Sequence, residues 1–156
     1  MIEQCYVMIK PGFAQPDIIK NVKDELTKSN LKIIDSNYKK YTPVEAAVHY
    51  RDKISKPYFD ELIDYLSSDV TYGIVITGEN AIKIAREKVE SLRESLPKLF
   101  NLKTDKMRNV LHCTNYKIID DRLVDLDSTT EIAVFRRQWP SWLSWPSCLC
   151  RSSNYK

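Results

Sequence analysis

The chain has no apolar run approaching the ~20 residues needed to span a bilayer, and nothing after Met1 follows the basic, apolar and small-residue succession of a secretory signal. A soluble protein of the cell interior is expected. It also lacks a surplus of one charge. Twenty-four basic residues against 21 acidic ones leave +3, too little for the concentrated basic face that nucleic-acid binding requires. The four cysteines, at 5, 113, 148 and 150, have no framework spacing, and Cys148-Leu-Cys150 cannot close a zinc site without two further ligands. Free thiols in a reducing cytosol follow. No internal repeat is visible, and histidine is scarce, with only His49 and His112.

The 156 residues are 43% hydrophobic and 29% charged, which suits one globular core. Residues 4–9 alternate and are rich in β-formers, and Pro11, which cannot donate to a ladder, ends that strand. From Pro16, residues Ile18, Ile19, Val22 and Leu26 share one helical face. A long strand is predicted over 31–41. Thr42, Pro43 and Glu45 then form a helix start, and that helix continues through Ala46, Ala47 and Tyr50. Phe59, Leu62, Ile63 and Leu66 predict a helix from about Lys56 to Ser67, and 70–77 reads as a strongly apolar strand. A helix over 79–92 should give way to a loop over 93–105, which leads to His112. A last helix, capped by Asp127 or Ser128, closes the domain. This order predicts an α+β, ferredoxin-like split βαβ arrangement, an antiparallel four-stranded sheet with helices on one face. The domain should occupy 1–138. Residues 139–156 read as a Trp, Pro, Ser and Cys-rich tail, because all three tryptophans fall there with no helical or strand period.

Two stretches carry chemistry. Tyr6-Val-Met-Ile-Lys10-Pro11 puts an ammonium at a strand end, where it suits phosphate, and Arg108-Asn109-Val-Leu-His112 sets an imidazole after a basic, amide-bearing turn. Together they resemble the nucleoside diphosphate kinases, whose first strand ends in Ile-Lys-Pro-Asp and whose nucleophile lies in Asn-x-x-His-Gly-Ser. The resemblance runs from about Glu3 to Arg137. The stretch Leu96-Pro-Lys-Leu-Phe-Asn-Leu-Lys-Thr-Asp105 is similar to a divergent group of that family that includes domains of cilium- and axoneme-associated proteins.

The resemblance implies transfer of a γ-phosphoryl group from a nucleoside triphosphate to a nucleoside diphosphate through phosphorylated His112, with Mg²⁺ carried by the nucleotide. Imidazole suits the task because it is neutral near pH 7 and forms a labile P–N bond. By the same resemblance Lys10 and Arg86 meet phosphate, Tyr50 helps to position it, and Asn109 touches the ribose. Tyr58 stacks on the base with Leu62 completing the clamp, Thr114 stands for the motif's serine, and Glu131 orients the histidine. A homo-oligomer and a cytoplasmic setting are expected, with a cytoskeletal or ciliary protein partner as a further implication. The alternative is a module of the same fold that binds nucleotide or protein with weakened turnover.

Departures from the pattern support that alternative. The second phosphate-binding arginine aligns with Leu96-Pro97, so its guanidinium is expected to be missing unless Arg93 or Lys98 supplies a charge. Leu92 falls near the place of a customary threonine, in a shortened loop. Gly12 replaces an aspartate and is expected to loosen the turn after Lys10 or to leave a partner of the missing carboxylate unpaired. Cys113 replaces glycine, and about eight residues are inserted before the last helix, which could displace Glu131. Simpler readings stand beside these roles. Arg86 at i,i+4 from Glu90 could be an ordinary surface pair, part of the Tyr58, Phe59 and Leu62 cluster must be core, and His49 receives no chemistry.

Overall fold

Lys10 leaves the first strand into a tight turn. In the computed structural model, which describes residues 2–137, strand β1 (Ile2–Ile9) is followed by a turn in which Phe13 N donates to Lys10 O at 3.1 Å. Pro11 takes the second position of that turn and Gly12 the third, with φ of +91°, the positive angle a type II turn demands. Gly12 therefore closes the turn instead of loosening it, and the Tyr65 hydroxyl also donates to Pro11 O at 2.9 Å.

The next elements follow the sequence pattern closely. Helix α1 (Pro16–Thr27) buries Ile18, Ile19, Val22 and Leu26, and strand β2 spans Lys32–Lys39. Helix α2 (Pro43–His49) opens with a reciprocal cap, Glu45 N donating to Thr42 Oγ1 and Thr42 N to Glu45 Oε1. Helix α3 (Phe59–Leu66) starts three residues later than the periodicity predicts, and strand β3 spans Thr71–Glu79.

Two segments differ from expectation. Helix α4 runs from Ala81 to Phe100, absorbing the first part of the predicted loop, because Val89, Leu92 and Leu96 extend its buried face up to Pro97. Pro97 lies in the last turn, and its carbonyl accepts from Asn101 N and from Leu102 N, which ends the helix with Asn101 in the left-handed region. After strand β4 (Leu111–Cys113), the inserted residues fold as a hairpin of β5 (Tyr116–Ile119) and β6 (Arg122–Asp125). Its two-residue turn, Asp120-Asp121, has positive φ at both positions, as a type I′ turn requires. Helix α5 (Ser128–Phe135) follows, and Asp125, through its carboxylate, accepts from Ser128 N at 2.9 Å.

The sheet has the order β2-β3-β1-β4 with every pairing antiparallel. Helices cover both faces, not one. Cys5, Val7 and Ile9 of β1 pack with α1 and α4, whereas Tyr6 and Met8 pack with α2, α3 and α5. A strand buried on both sides carries apolar residues at successive positions, and residues 5–9 are all fully buried. On the second face α5 approaches β3 so closely that a Cβ at Gly73 would lie 2.4 Å from the ring of Phe135. The predicted tail at 139–156 lies outside the described residues. No helix among the described residues is long and apolar enough to cross a membrane.

Candidate active site

The chemistry gathers at β4, the edge strand. His112 pairs with Met8 of β1, so its imidazole stands on the face covered by α2, α3 and α5. Helix α5 brings Glu131 beneath the ring, and His112 Nε2 shares a short hydrogen bond with Glu131 Oε2. The other carboxylate oxygen accepts from Thr114 Oγ1 at 2.7 Å, while Thr114 Oγ1 accepts from Tyr6 N at 2.9 Å. The inserted hairpin therefore leaves Glu131 in reach of His112, because it folds on itself and returns the chain to the sheet. Nδ1 is the ring nitrogen not engaged by the carboxylate.

Positive charge reaches the same place from the other side of the sheet. Arg86 and Arg93 are seven residues apart on α4, two helical turns, and both bend around the β4 edge. Arg86 Nη1 donates to Cys113 O at 2.9 Å, and Arg93 donates to Leu111 O from Nε at 3.1 Å and from Nη2 at 3.0 Å. The carbonyls on either side of His112 are thus held by guanidiniums. Arg93 follows Leu92, so the Leu-Arg pair expected at Leu96-Pro97 lies one helical turn earlier, and a second guanidinium is present. Lys98 is not among the residues lining the cleft. The Arg86 to Glu90 pairing also exists, at 3.6 Å, but Glu90 is mostly exposed and the Cys113 contact is shorter. Buried Lys10 donates to Met107 O at 3.3 Å.

These groups line a cleft of about 540 Å³. Lys10, Tyr50, Tyr58, Leu62, Arg86, His112 and Glu131 are all on its wall, joined by Arg93, Lys53 and Lys106. Tyr58 is 39% exposed at the start of α3 whereas Phe59 is 1% exposed, which divides the aromatic pair into a cleft ring and a core ring. Thr114 stands behind Glu131 in the core instead of on the wall. Asn109 is also off the wall, with Oδ1 buried and without a hydrogen-bond partner among the described residues. The residue that motif reasoning left aside is His49. Its ring centroid is 4.6 Å from that of His112, and its Nε2 is 4.0 Å from Glu131 Oε2. Its place at the end of α2, next to Tyr50, was the only signal in the chain.

Burial dominates the electrostatics. It holds His112 well below the ordinary imidazole range, and Lys10, Arg93 and Arg86 push in the same direction, so the ring is uncharged at neutral pH. Burial lowers His49 to about 3, with His112 adding to the effect. Burial raises Glu131 to about 7, against the lowering influence of His49 and of the Thr114 hydrogen bond. Lys10 falls to about 8 through burial and then Arg93, partly offset by Asp105. A neutral imidazole with an oriented proton, ringed by cations, can attack an electrophile that carries dense negative charge.

The family model described as nucleoside diphosphate kinase matches residues 3–123. Among curated proteins, the chain is 27% identical over 147 residues to a nucleoside diphosphate kinase of Staphylococcus epidermidis, covering 91% of this chain and 99% of that one. It is 29% identical to that of Methanococcoides burtonii at the same coverage. Its fold is similar to the Aquifex aeolicus nucleoside diphosphate kinase, with a TM-score of 0.69, 24% identity, and coverage of 86% of this chain and 95% of that one. A Halobacterium salinarum nucleoside diphosphate kinase in complex with CDP superimposes with a TM-score of 0.66 at 22% identity, over 94% of this chain and 97% of that one.

Proposed function

The chain belongs to the nucleoside diphosphate kinase family, and from that membership we propose that it transfers the γ-phosphoryl group of a nucleoside triphosphate to a nucleoside diphosphate through phosphorylated His112. The observation that carries this reading is the hydrogen bond between His112 Nε2 and Glu131, made at the wall of a cation-lined cleft. With the proton on Nε2, donated to the carboxylate, the Nδ1 lone pair is free to act.

The triphosphate enters with its base against Tyr58 and Leu62 and its phosphates toward Lys10, Arg86 and Arg93. Nδ1 attacks the γ-phosphorus, a P–N bond forms, and the bond from phosphorus to the β,γ-bridging oxygen breaks, leaving that electron pair on the departing diphosphate. A second diphosphate then attacks the phosphohistidine through its terminal oxygen, and the imidazole regains its lone pair. The arginines do not need to leave their carbonyls completely, since each guanidinium has five N–H donors. Stacking on a π-face without base-edge contacts favours broad nucleotide acceptance.

Magnesium fits the cleft as a passenger of the nucleotide. Asp127 is engaged by Arg51 at 2.9 Å and Glu131 by His112 and Thr114, whereas Asp52 pairs more loosely, with Lys53 at 3.8 Å, and is the wall carboxylate best able to meet a hydrated ion. When bound, Mg²⁺ neutralises charge on the outer phosphates.

Incubation with γ-labelled ATP and Mg²⁺ is expected to give an acid-labile, alkali-stable label that chases onto added diphosphate and is absent from His112→Ala. A second reading, a nucleotide-binding module without turnover, draws on Cys113, whose side chain stands where the family has glycine. Retained nucleotide affinity without label would establish it in place of the first.

A further inference from the structure

We propose that His49, His112 and Glu131 form a site for one transition-metal ion, best suited to Zn²⁺ and separate from any Mg²⁺ carried by a nucleotide. The two imidazoles and the carboxylate offer three donor atoms within 4.8 Å of one another, close to the spacing that ~2.0–2.2 Å bonds to a shared ion require after sub-ångström adjustment. His49 is the independent pointer. It is fully buried, yet neither ring nitrogen has a hydrogen-bond partner among the described residues, and buried polar atoms of this kind are rare without a ligand.

The surroundings favour a metal of the imidazole-seeking class. Both rings are neutral at neutral pH, so neither has to lose a proton to solvent, and His112 needs only to shift its ring proton from Nε2 to Nδ1. Thr114 already holds the second oxygen of Glu131, an outer contact that fixes a ligating carboxylate. All three residues line the cleft, which gives the ion a route in and leaves a fourth position for water or a phosphate oxygen. Lys10, Arg86 and Arg93 oppose another positive charge, which selects ions that bond strongly to nitrogen over Ca²⁺ or Mg²⁺. Bound there, the ion takes Nε2 and Oε2 in place of their mutual hydrogen bond, which leaves the ring proton of His112 on Nδ1 and removes the lone pair needed for attack. That inhibitory consequence rests on the phosphohistidine reading, but the binding does not.

The test uses the full chain, chelator-stripped, in a Cys148→Ser/Cys150→Ser background so that the tail thiols cannot contribute. Titration with Co²⁺ in excess Mg²⁺ is expected to give one ion per chain with the visible bands of a four-coordinate nitrogen and oxygen site, displaced by Zn²⁺. The substitution His49→Gln should weaken binding by at least about tenfold. No saturable binding, or unchanged affinity in a His49→Gln protein with native circular dichroism, would overturn the proposal. If that variant fails to fold, ring ¹⁵N resonances of the parent decide, because the chain has only two histidines. One equivalent of Zn²⁺ must move both, and either one unmoved ends the proposal. None of these readings depends on phosphoryl transfer.

Discussion

At the scale of single residues, the proposed phosphoryl transfer makes the proton on Glu131 decide whether His112 can act. While the carboxyl is protonated it donates to Nε2 and leaves the ring's own proton on Nδ1, the nitrogen that must attack. Once it ionises, the ring proton moves to Nε2 and Nδ1 is freed. With Glu131 raised to about 7 by burial and Lys10 lowered to about 8, kcat/KM should rise with pH through about 7 and fall above about 8 as Lys10 loses its charge. Steady-state pH profiles should show that bell, and Glu131→Gln should lose its acid limb. A profile flat across this range would refute the assignment. Arg93 offers a second test. An ammonium cannot span Leu111 O and a phosphate as a planar fork can, so Arg93→Lys is expected to cut single-turnover phosphorylation about 10- to 100-fold, the loss of ~1.5–3 kcal/mol that goes with a hydrogen bond to a charged group. Lys10, Tyr50, Tyr58, Leu62, Arg86, His112 and Glu131 were legible because each sits in a local motif, and the structure brings them to one wall. Arg93 was obscured by the shortened loop, whose gap can be placed on either side of it. His49 was obscured because its partners come from β4 and α5, distant in sequence.

At the scale of elements, α4 and the β5–β6 hairpin are where local reading and structure part. The apolar period predicts a helix only to Leu92, ahead of Pro97, a residue type that ordinarily signals a stop. Pro97 instead falls where the helix is already closing, and the buried stripe through Leu92 and Leu96 repays the missing donor. That continuation places Arg93 two turns from Arg86 on the side that meets β4. The hairpin was invisible as a hairpin because its turn is Asp120-Asp121, without the glycine that normally marks a type I′ connection. Both aspartates hold left-handed backbone at a cost of ~1–2 kcal/mol each. Asp121→Gly is therefore expected to raise unfolding free energy by about 1 kcal/mol in urea titration, and an unchanged or lowered midpoint would contradict the turn. The edge position of β4 explains the arginines' double duty. Their guanidiniums occupy carbonyls on the unpaired side of the strand, the side open to further pairing, while presenting charge to the cleft.

At the scale of the molecule, stability and chemistry share the same buried polar cluster. In the folded chain burial keeps His49 neutral down to about pH 3 and holds His112 well below its ordinary range, whereas both rings take up protons below about 6.5 when unfolded, so acid favours unfolding. Glu131 works the other way between its ordinary 4.5 and about 7, where the folded state holds the extra proton. Below about pH 6.5 the unfolded histidines outweigh the proton held by folded Glu131, and below about 4.5 that offset is lost, so stability should decline gently and then more steeply, at roughly 1.4 kcal/mol per pH unit for each unmatched proton. Urea unfolding across pH 3–7 checks this, and a level acid limb would refute it. By itself the sequence determined the apolar periodicities, the capping box at Thr42, and the order in which Lys10, Arg86, His112 and Glu131 occur, because these are properties of neighbours along the chain. The presence of helices on both sheet faces, the convergence of His49, His112 and Glu131, and the reach of Arg93 around β4 were decided only by tertiary structure. Each depends on contacts between residues 18 or more positions apart, which packing the core brings within a few ångströms and no local pattern encodes.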